Sequence, residues 1–378
     1  MKTVFTLFTC LASLTSHARD IVIDSCGNLI FASLGDGIIA LKPEWNDVCP
    51  TIVETKVLVP DDGLNFTSAI TLSPDGKTIF ATTPQLALAK VVVTGMAPGP
   101  VAEAISRAVA IPQDNPDVLF INRGLDTPDI DNATAFIDNS KGMIQAFDLT
   151  NMPADGYDYT TDGTVFSWAD GITRNGVPLT DNPGDEFNCL GKYDAFSTSP
   201  PPNPGYPFCH TSWNVSSLPD SADLSIGTGL LLDASVHVDS FCAENSIPPR
   251  ISFLTHTAPL GIAFYKPETP SSGKDLVGSA FVSLPGPAGH SIVVVPFKDG
   301  EPAAPADSGK GYYDFVWTSP SVNKSQCRSA LLQAPAGIGC LSPVGLVFDK
   351  RGRLYFTADV TGEVFVVTKD QPEDCSGD

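Results

Sequence analysis

Asp24-Ser25-Cys26-Gly27-Asn28-Leu29-Ile30-Phe31-Ala32 places an Asp/Gly turn directly before an alternating apolar run, the pattern of a tight turn that feeds a β-strand. It recurs as Ser73-Pro74-Asp75-Gly76-Lys77-Thr78-Ile79-Phe80-Ala81 and again as Asp349-Lys350-Arg351-Gly352-Arg353-Leu354-Tyr355-Phe356-Thr357. After the first and last copies a second glycine turn leads into another strand, Gly35-Asp36-Gly37-Ile38-Ile39-Ala40-Leu41 and Thr361-Gly362-Glu363-Val364-Phe365-Val366-Val367. Repeated hairpins with little helical periodicity predict an all-β chain built by radial repetition, a β-propeller rather than a sandwich. Only residues 99–110 have a helix-tolerant composition. Three loops interrupt the pattern: residues 122–141 (Asp/Asn-rich), 197–204 (Ser/Pro-rich) and 301–311 (Pro/Ala/Gly-rich). They read as surface insertions within one domain over residues 19–370, followed by a short tail at 371–378.

The net charge of −21 over 378 residues excludes a nucleic-acid partner, whose phosphates demand a basic surface. It suits a secreted, extracellular chain kept soluble by charge, and we expect a monomer. Residues 1–18 read as an export signal: Lys2, an apolar run from Val4 to Leu14, then Ser16-His17-Ala18 as a small-residue cleavage site. No later run is long and apolar enough to span a membrane. Without Cys10, eight cysteines remain (Cys26, Cys49, Cys189, Cys209, Cys242, Cys327, Cys340 and Cys375), an even set that suggests disulfides in an exported chain. Cys209 with Cys242 and Cys327 with Cys340 are the candidate pairs, and the rest stay open. Sequons at Asn65, Asn132, Asn214 and Asn323 are candidate glycosylation sites on the same route.

Two stretches carry candidate chemistry. Asp181-Asn182-Pro183-Gly184-Asp185-Glu186-Phe187-Asn188 is an acidic turn, joined by a short linker to Pro204-Gly205-Tyr206-Pro207-Phe208-Cys209. Its carboxylates and inward carbonyls are the hard oxygen donors Ca²⁺ prefers. Thr255-His256-Thr257-Ala258-Pro259-Leu260-Gly261 sets a histidine, which titrates near neutral pH, just before a strand. No Gly-x-Ser-x-Gly elbow, Walker A loop or dinucleotide fingerprint occurs, whereas a carboxylate pair defined only in space stays open.

These two stretches, with Val295-Pro296-Phe297, Pro343-Val344-Gly345-Leu346, Val92-Val93-Thr94-Gly95-Met96, Asn122-Arg123-Gly124, Gln145-Ala146-Phe147-Asp148-Leu149 and 157–165, stand in the order found in the fungal pyranose dehydrogenases. The chain resembles these secreted relatives of the soluble glucose and sorbosone dehydrogenases over nearly its whole length. The resemblance implies a six-bladed propeller, some blades incomplete here, holding pyrroloquinoline quinone and Ca²⁺. It implies that a pyranose sugar is oxidised and the electrons pass to an external acceptor. It places Asn182 and Pro183 at the calcium, their backbone carbonyls facing the ion, and His256 and Arg107 at the cofactor.

The sequence departs from that family at catalytic positions. Ala104 stands where the family has its base histidine. Arg174-Asn175 lies in a context too different to carry over the family's Arg-Asn role. Pro285-Gly286-Pro287-Ala288-Gly289-His290 replaces a longer run that ends in arginine, and Ser342 replaces an arginine before Pro343. The catalytic residues are therefore left unassigned, and the activity of this chain is set against two alternatives. One is a catalytically silent carbohydrate-binding propeller, the other a Ca²⁺-dependent lactonase or hydrolase.

Overall fold

The structure is a computed structural model that describes residues 5–10, 18–33, 35–45, 50–62, 66, 69–83, 92–94, 107–112, 115–123, 143–159, 161–162, 164–168, 181–191, 203–205, 209–218, 224–231, 240–268, 274–286, 288–318, 340–358 and 362–369. The described chain is almost entirely β. It divides into two compact units, one formed by residues 1–85, 258–303 and 312–378, the other by residues 86–257 and 304–311.

The repeated turn has a single cause in all three copies. The Asp24 carboxylate accepts the backbone N–H of Cys26 at 2.9 Å and of Asn28 at 2.8 Å, while its carbonyl accepts Gly27 N–H at 3.0 Å. Asp349 repeats this with Arg351 at 3.0 Å, Arg353 at 2.9 Å and Gly352 at 2.9 Å. Ser73 does so with its hydroxyl on Thr78 N–H and its carbonyl on Gly76 N–H. Each glycine has a positive φ (86°, 82° and 70°), a conformation glycine adopts without steric cost.

In the first unit these turns connect the inner pairs of successive sheets. The strands β1 (Phe5–Cys10), β2 (Ala18–Ile23), β3 (Leu29–Ser33), β4 (Gly37–Trp45), β5 (Pro50–Pro60), β6 (Ile70–Leu72) and β7 (Ile79–Ala81) open the chain. β2 to β5 form an antiparallel sheet in sequence order, and β6 pairs with β7. In the second unit lie β8 (Val93–Thr94), β9 (Arg107–Ala110), β10 (Val118–Arg123), β11 (Met143–Asp148), β12 (Tyr157–Asp158), β13 (Thr164–Trp168), β14 (Asp185–Phe187), β15 (Cys209–Thr211), β16 (Gly229–Leu231), helix α1 (Ser240–Asn245) and β17 (Ile251–Phe253). Sheet order there is β13-β11-β10-β9, with the pairs β8/β12, β14/β17 and β15/β16 beside it. The first unit resumes with β18 (Ile262–Phe264), β19 (Ala280–Leu284), β20 (Ser291–Val295), β21 (Phe297–Lys298), β22 (Glu301–Pro302), β23 (Tyr313–Trp317), β24 (Pro343–Phe348), β25 (Leu354–Ala358) and β26 (Glu363–Lys369). These give a β18-β19-β20-β23 sheet, a β1-β26-β25-β24 sheet and the β21/β22 pair.

Within the first unit the sheets stack face to face, and the central strands β3, β4, β25 and β26 are buried on both sides. On β25, Leu354, Phe356 and Ala358 pack with Phe281, Ile292 and Val294 of one neighbouring sheet, while Tyr355 packs with Phe31, Ile39 and Leu41 of the other. β3 behaves alike: Leu29 and Phe31 face β25 and β26, whereas Ile30 and Ala32 face Ile70 of β6. Strands covered on both faces lose polar alternation, hence runs such as Val364-Phe365-Val366-Val367. A fully buried Phe31 or Phe356 contributes on the order of 2–3 kcal/mol by this burial. The first strands of successive sheets, β18, β24, β2 and β6, lie side by side, as inner strands of propeller blades do. No sheet closes on itself among the described residues.

Several details differ from expectation. Arg107–Ala110, inside the helix-tolerant stretch, is a strand on β10, since pairing with a buried partner overrides a weak local preference. Phe5–Cys10 forms the edge strand on β26. Residues 301–311, expected as a surface insertion, are exposed or half-buried except for Gly311, and 304–311 belong to the second unit: a Cβ on Gly311 would meet Ile251 Cδ1 at 2.3 Å, and Ala306 lies against Gly227. The expected Cys209–Cys242 disulfide is present, and Cys340 is also disulfide-bonded. Among the described residues, Cys26 and Cys189 are exposed free thiols. Cys327, Asn65, Asn132, Asn323, Ala104, Arg174 and the 371–378 tail lie outside the described residues, as do most of 122–141 and of 197–204. Among the described residues no helix is long and apolar enough to cross a membrane.

The inner strands approach so closely that one position tolerates no side chain. A Cβ on Gly345 in β24 would stand 2.7 Å from Asp20 Cα and 2.9 Å from Ile21 N in β2. Gly345→Ala is expected to destabilise the chain by roughly 1–3 kcal/mol, read as a lower denaturation midpoint. Asp20 itself accepts Ile70 N–H from β6 at 3.1 Å and its neighbour Ile21 N–H at 2.9 Å. Burial pushes its carboxyl up to about 6, against the opposing pull of these two N–H groups. The folded state therefore holds this proton after the unfolded chain has released it. The stabilisation is complete below pH of about 4 and is lost as pH rises through about 6. Its full size is at most about 3 kcal/mol, reduced by what solvent screens. Asp20→Asn removes the titrating group, at the cost of one of the two acceptors, and should flatten the decline between pH 4 and 6. Melting curves across that range check it.

Candidate functional site

The two stretches singled out in the sequence meet in the second unit. Asn182 is buried and its side chain is committed to the scaffold. Its Nδ2 donates to the Asn214 carbonyl at 2.9 Å and Ser217 Oγ at 3.0 Å, and its Oδ1 accepts Trp213 N–H at 2.8 Å. The peptide bond to Pro183 is cis. Gly184 then donates its N–H to the Thr211 carbonyl at 2.9 Å, and a Cβ there would press on the Phe253 carbonyl at 2.8 Å and Trp213 Cβ at 3.2 Å. The loop is therefore seated on β15 and β17 at both ends of Pro183.

The histidine loop is bound to it from the other side. Thr255, buried, donates its hydroxyl to the Pro183 carbonyl at 2.7 Å. Thr257, also buried, donates its backbone N–H to the Asp185 carboxylate at 2.8 Å. The Thr257 hydroxyl lies 2.9 Å from both that carboxylate and the Leu254 carbonyl, so one proton serves two acceptors. Between them stands His256, exposed, with φ of 63°, and Ala258 follows at 50°. Left-handed backbone at a non-glycine residue costs on the order of 1–2 kcal/mol, which the threonine contacts offset.

The carboxylates do not converge as the acidic run suggested. Asp185 turns to Thr257, Glu186 accepts Asn188 Nδ2 at 2.8 Å, and Asp181 accepts Asn214 Nδ2 at 3.3 Å. Neighbouring residues of a strand point to opposite faces, which separates Asp185 from Glu186. Among the described residues no group of three or more His, Cys, Asp or Glu gathers for a metal. The oxygen donor the loop holds in place is a carbonyl: a carbonyl has two lone pairs, and Thr255 takes one on Pro183. This hard, neutral donor in a fixed loop fits Ca²⁺ in kind.

Other expected positions lie elsewhere. Arg107 opens β9 opposite Arg123 of β10, and its side chain is outside those described. Asn214, a sequon, is part of the loop scaffold through Asn182, and its Oδ1 accepts the Ser216 hydroxyl at 2.7 Å. Sequence reasoning passed over Thr255, Thr257 and Ser217, whose signal was only their spacing about His256 and Asn214. Arg123, part of the Asn122-Arg123-Gly124 segment that carries the resemblance but given no site role there, is buried on β10 near Tyr159. Burial holds the Tyr159 phenol above its usual range, and that hydroxyl donates to the Met143 carbonyl at 2.9 Å.

In the first unit, the departures have structural counterparts. After β19 the backbone approaches itself closely: a Cβ on Gly289 would lie 2.3 Å from the Leu284 carbonyl. His290 is buried there, its Nδ1 3.0 Å from the Leu341 carbonyl. Ser342 is buried, and its hydroxyl has no hydrogen-bond partner among the described residues.

Comparison with known proteins agrees with this picture. The chain is 29% identical to the pyrroloquinoline quinone-dependent sugar dehydrogenase of Hypocrea jecorina (strain QM6a), over 95% of this chain and 87% of that protein. It is 26% identical to the pyrroloquinoline quinone-dependent pyranose dehydrogenase of Coprinopsis cinerea over 93% of this chain, but spans only 52% of that protein. The calcium structure of Trichoderma reesei Carbohydrate-Active Enzymes Family AA12 superimposes with a TM-score of 0.79 at 25% identity, covering 98% of this chain and 99% of that one. The fold is thus of the β-propeller type seen in quinone-dependent dehydrogenases. With its sequence profile matching residues 5–180 and 167–370, the chain belongs to the TrAA12-like family.

Proposed function

We propose that this chain is an exported, monomeric quinoprotein of the sugar dehydrogenase type. In this reading a six-bladed propeller binds pyrroloquinoline quinone with Ca²⁺ and delivers electrons from a pyranose to an external acceptor. The observation that carries the reading is the union of the Pro183 loop with the His256 loop through Thr255 and Thr257. Export is supported by the Cys209–Cys242 disulfide and the bonded Cys340, since such bonds persist in oxidising compartments.

Ca²⁺ use is supported by the donor chemistry of the loop and by the relative solved with calcium. Pro183 would offer the remaining lone pair of its carbonyl, and Asn182 its own backbone carbonyl, while the Asn182 side chain keeps the loop in shape. His256 stands exposed beside the loop, where its imidazole can hydrogen bond with a ligand. Arg107 would meet a carboxylate of the cofactor. Bound quinone would supply the two-electron redox chemistry, which no side chain here supplies.

Removal of the hydroxyl proton is the weak point. Ala104 cannot accept a proton, and a positioned general base contributes typically 10²–10⁴-fold. Stripped protein titrated with pyrroloquinoline quinone and Ca²⁺ should show saturable, Ca²⁺-dependent uptake by absorbance. No uptake at micromolar protein would refute the assignment. Dye reduction by the loaded protein with a panel of pyranoses should be slow, and Ala104→His should raise it by roughly 10²-fold or more. An unchanged rate would mean that another group serves as base.

A further inference from the structure

Resting on that reading, we infer that Thr255 and Thr257 are positioning residues. They fix the Pro183 carbonyl for a divalent cation by tying its loop to the loop of His256. The peptide after Pro183 is already anchored at both ends. Asn182 makes three hydrogen bonds to 213–217, and Gly184 N–H is held by the Thr211 carbonyl. The Pro183 carbonyl shares one planar peptide group with that N–H, so the Thr211 bond holds the plane from one side and the buried Thr255 hydroxyl, at 2.7 Å, holds it from the other. One lone pair is thereby occupied and the other is given a single direction.

Thr255 keeps its place because the next residues are latched. Thr257 binds Asp185, two residues beyond Pro183, through both its backbone N–H and its hydroxyl. Without that latch the left-handed turn at His256 and Ala258 would relax toward ordinary backbone, carrying Thr255 with it. Asp185 thus acts on the cation loop through Thr257 instead of serving as a ligand. Groups that orient a ligand from behind typically change metal affinity by roughly 10–100-fold when removed.

The test is calorimetric titration of Ca²⁺ alone into the metal-stripped, quinone-free full chain, with the metal-free melting midpoint measured in parallel. Thr255→Val keeps the shape and removes the hydroxyl, and should raise the Ca²⁺ dissociation constant by roughly 10–100-fold. Thr255→Ser should bring it back near the wild-type value. A merely structural role would lower the metal-free midpoint and leave Ca²⁺ affinity unchanged, and that result overturns the inference alone. If Thr255→Val does not fold, Thr257→Val decides: weaker Ca²⁺ binding supports the tie, and unchanged binding removes it. Wild-type protein that binds no Ca²⁺ overturns the functional reading together with the inference.

Discussion

Burial of the central strands on both faces is the constraint from which the first unit follows. A sheet such as β24 to β26 has no solvent side, so every second residue packs one neighbour and the residues between pack the other. The price of that arrangement is crowding where first strands meet. Gly261 has no room for a Cβ because the Val344 carbonyl would stand 2.1 Å away, and Gly345 is pressed against Asp20 in the same manner. Ser283 makes use of the closeness: its hydroxyl donates to the Val344 carbonyl at 2.7 Å and accepts Gly261 N–H at 2.7 Å. Backbone groups at these seams are satisfied by short hydroxyl side chains, because nothing larger fits between the strands.

The candidate site obeys different physics. Few apolar contacts define it; a chain of directional hydrogen bonds does. Asn182, Gly184, Thr255 and Thr257 each use a short polar group to fix a neighbouring backbone, and the result tolerates two left-handed residues beside an exposed imidazole. Strain of this kind persists only where the surroundings over-determine the backbone. The Pro183 loop and the His256 loop are thus tied to one another, although about seventy residues of chain separate them.

The first unit also buries polar side chains beside its core. His290 is buried with its Nδ1 3.0 Å from the Leu341 carbonyl, and Ser342, just before Pro343, is buried as well. Both lie next to strands whose apolar residues, Phe281 of β19 and Leu346 of β24, pack in one cluster.

Turn chemistry and strand alternation were legible in the sequence because both are local. Asp24, Ser73 and Asp349 cap their turns with their own side chains within five residues, so the repeat announced the hairpins and through them the fold. Cys209 and Cys242 were also legible as a candidate pair. Other outcomes depended on partners distant in the chain. Whether Asp185 met a cation or a threonine was decided by the pairing of β14 with β17. The strand at Arg107 was decided by β10, and the seating of residues 304–311 by Ile251 and Gly227. The sequence by itself determined how the chain turns and alternates, because those choices are made between neighbours. Only the tertiary structure decided which oxygen faces which hydroxyl, because strand pairing, not sequence proximity, brings those atoms together.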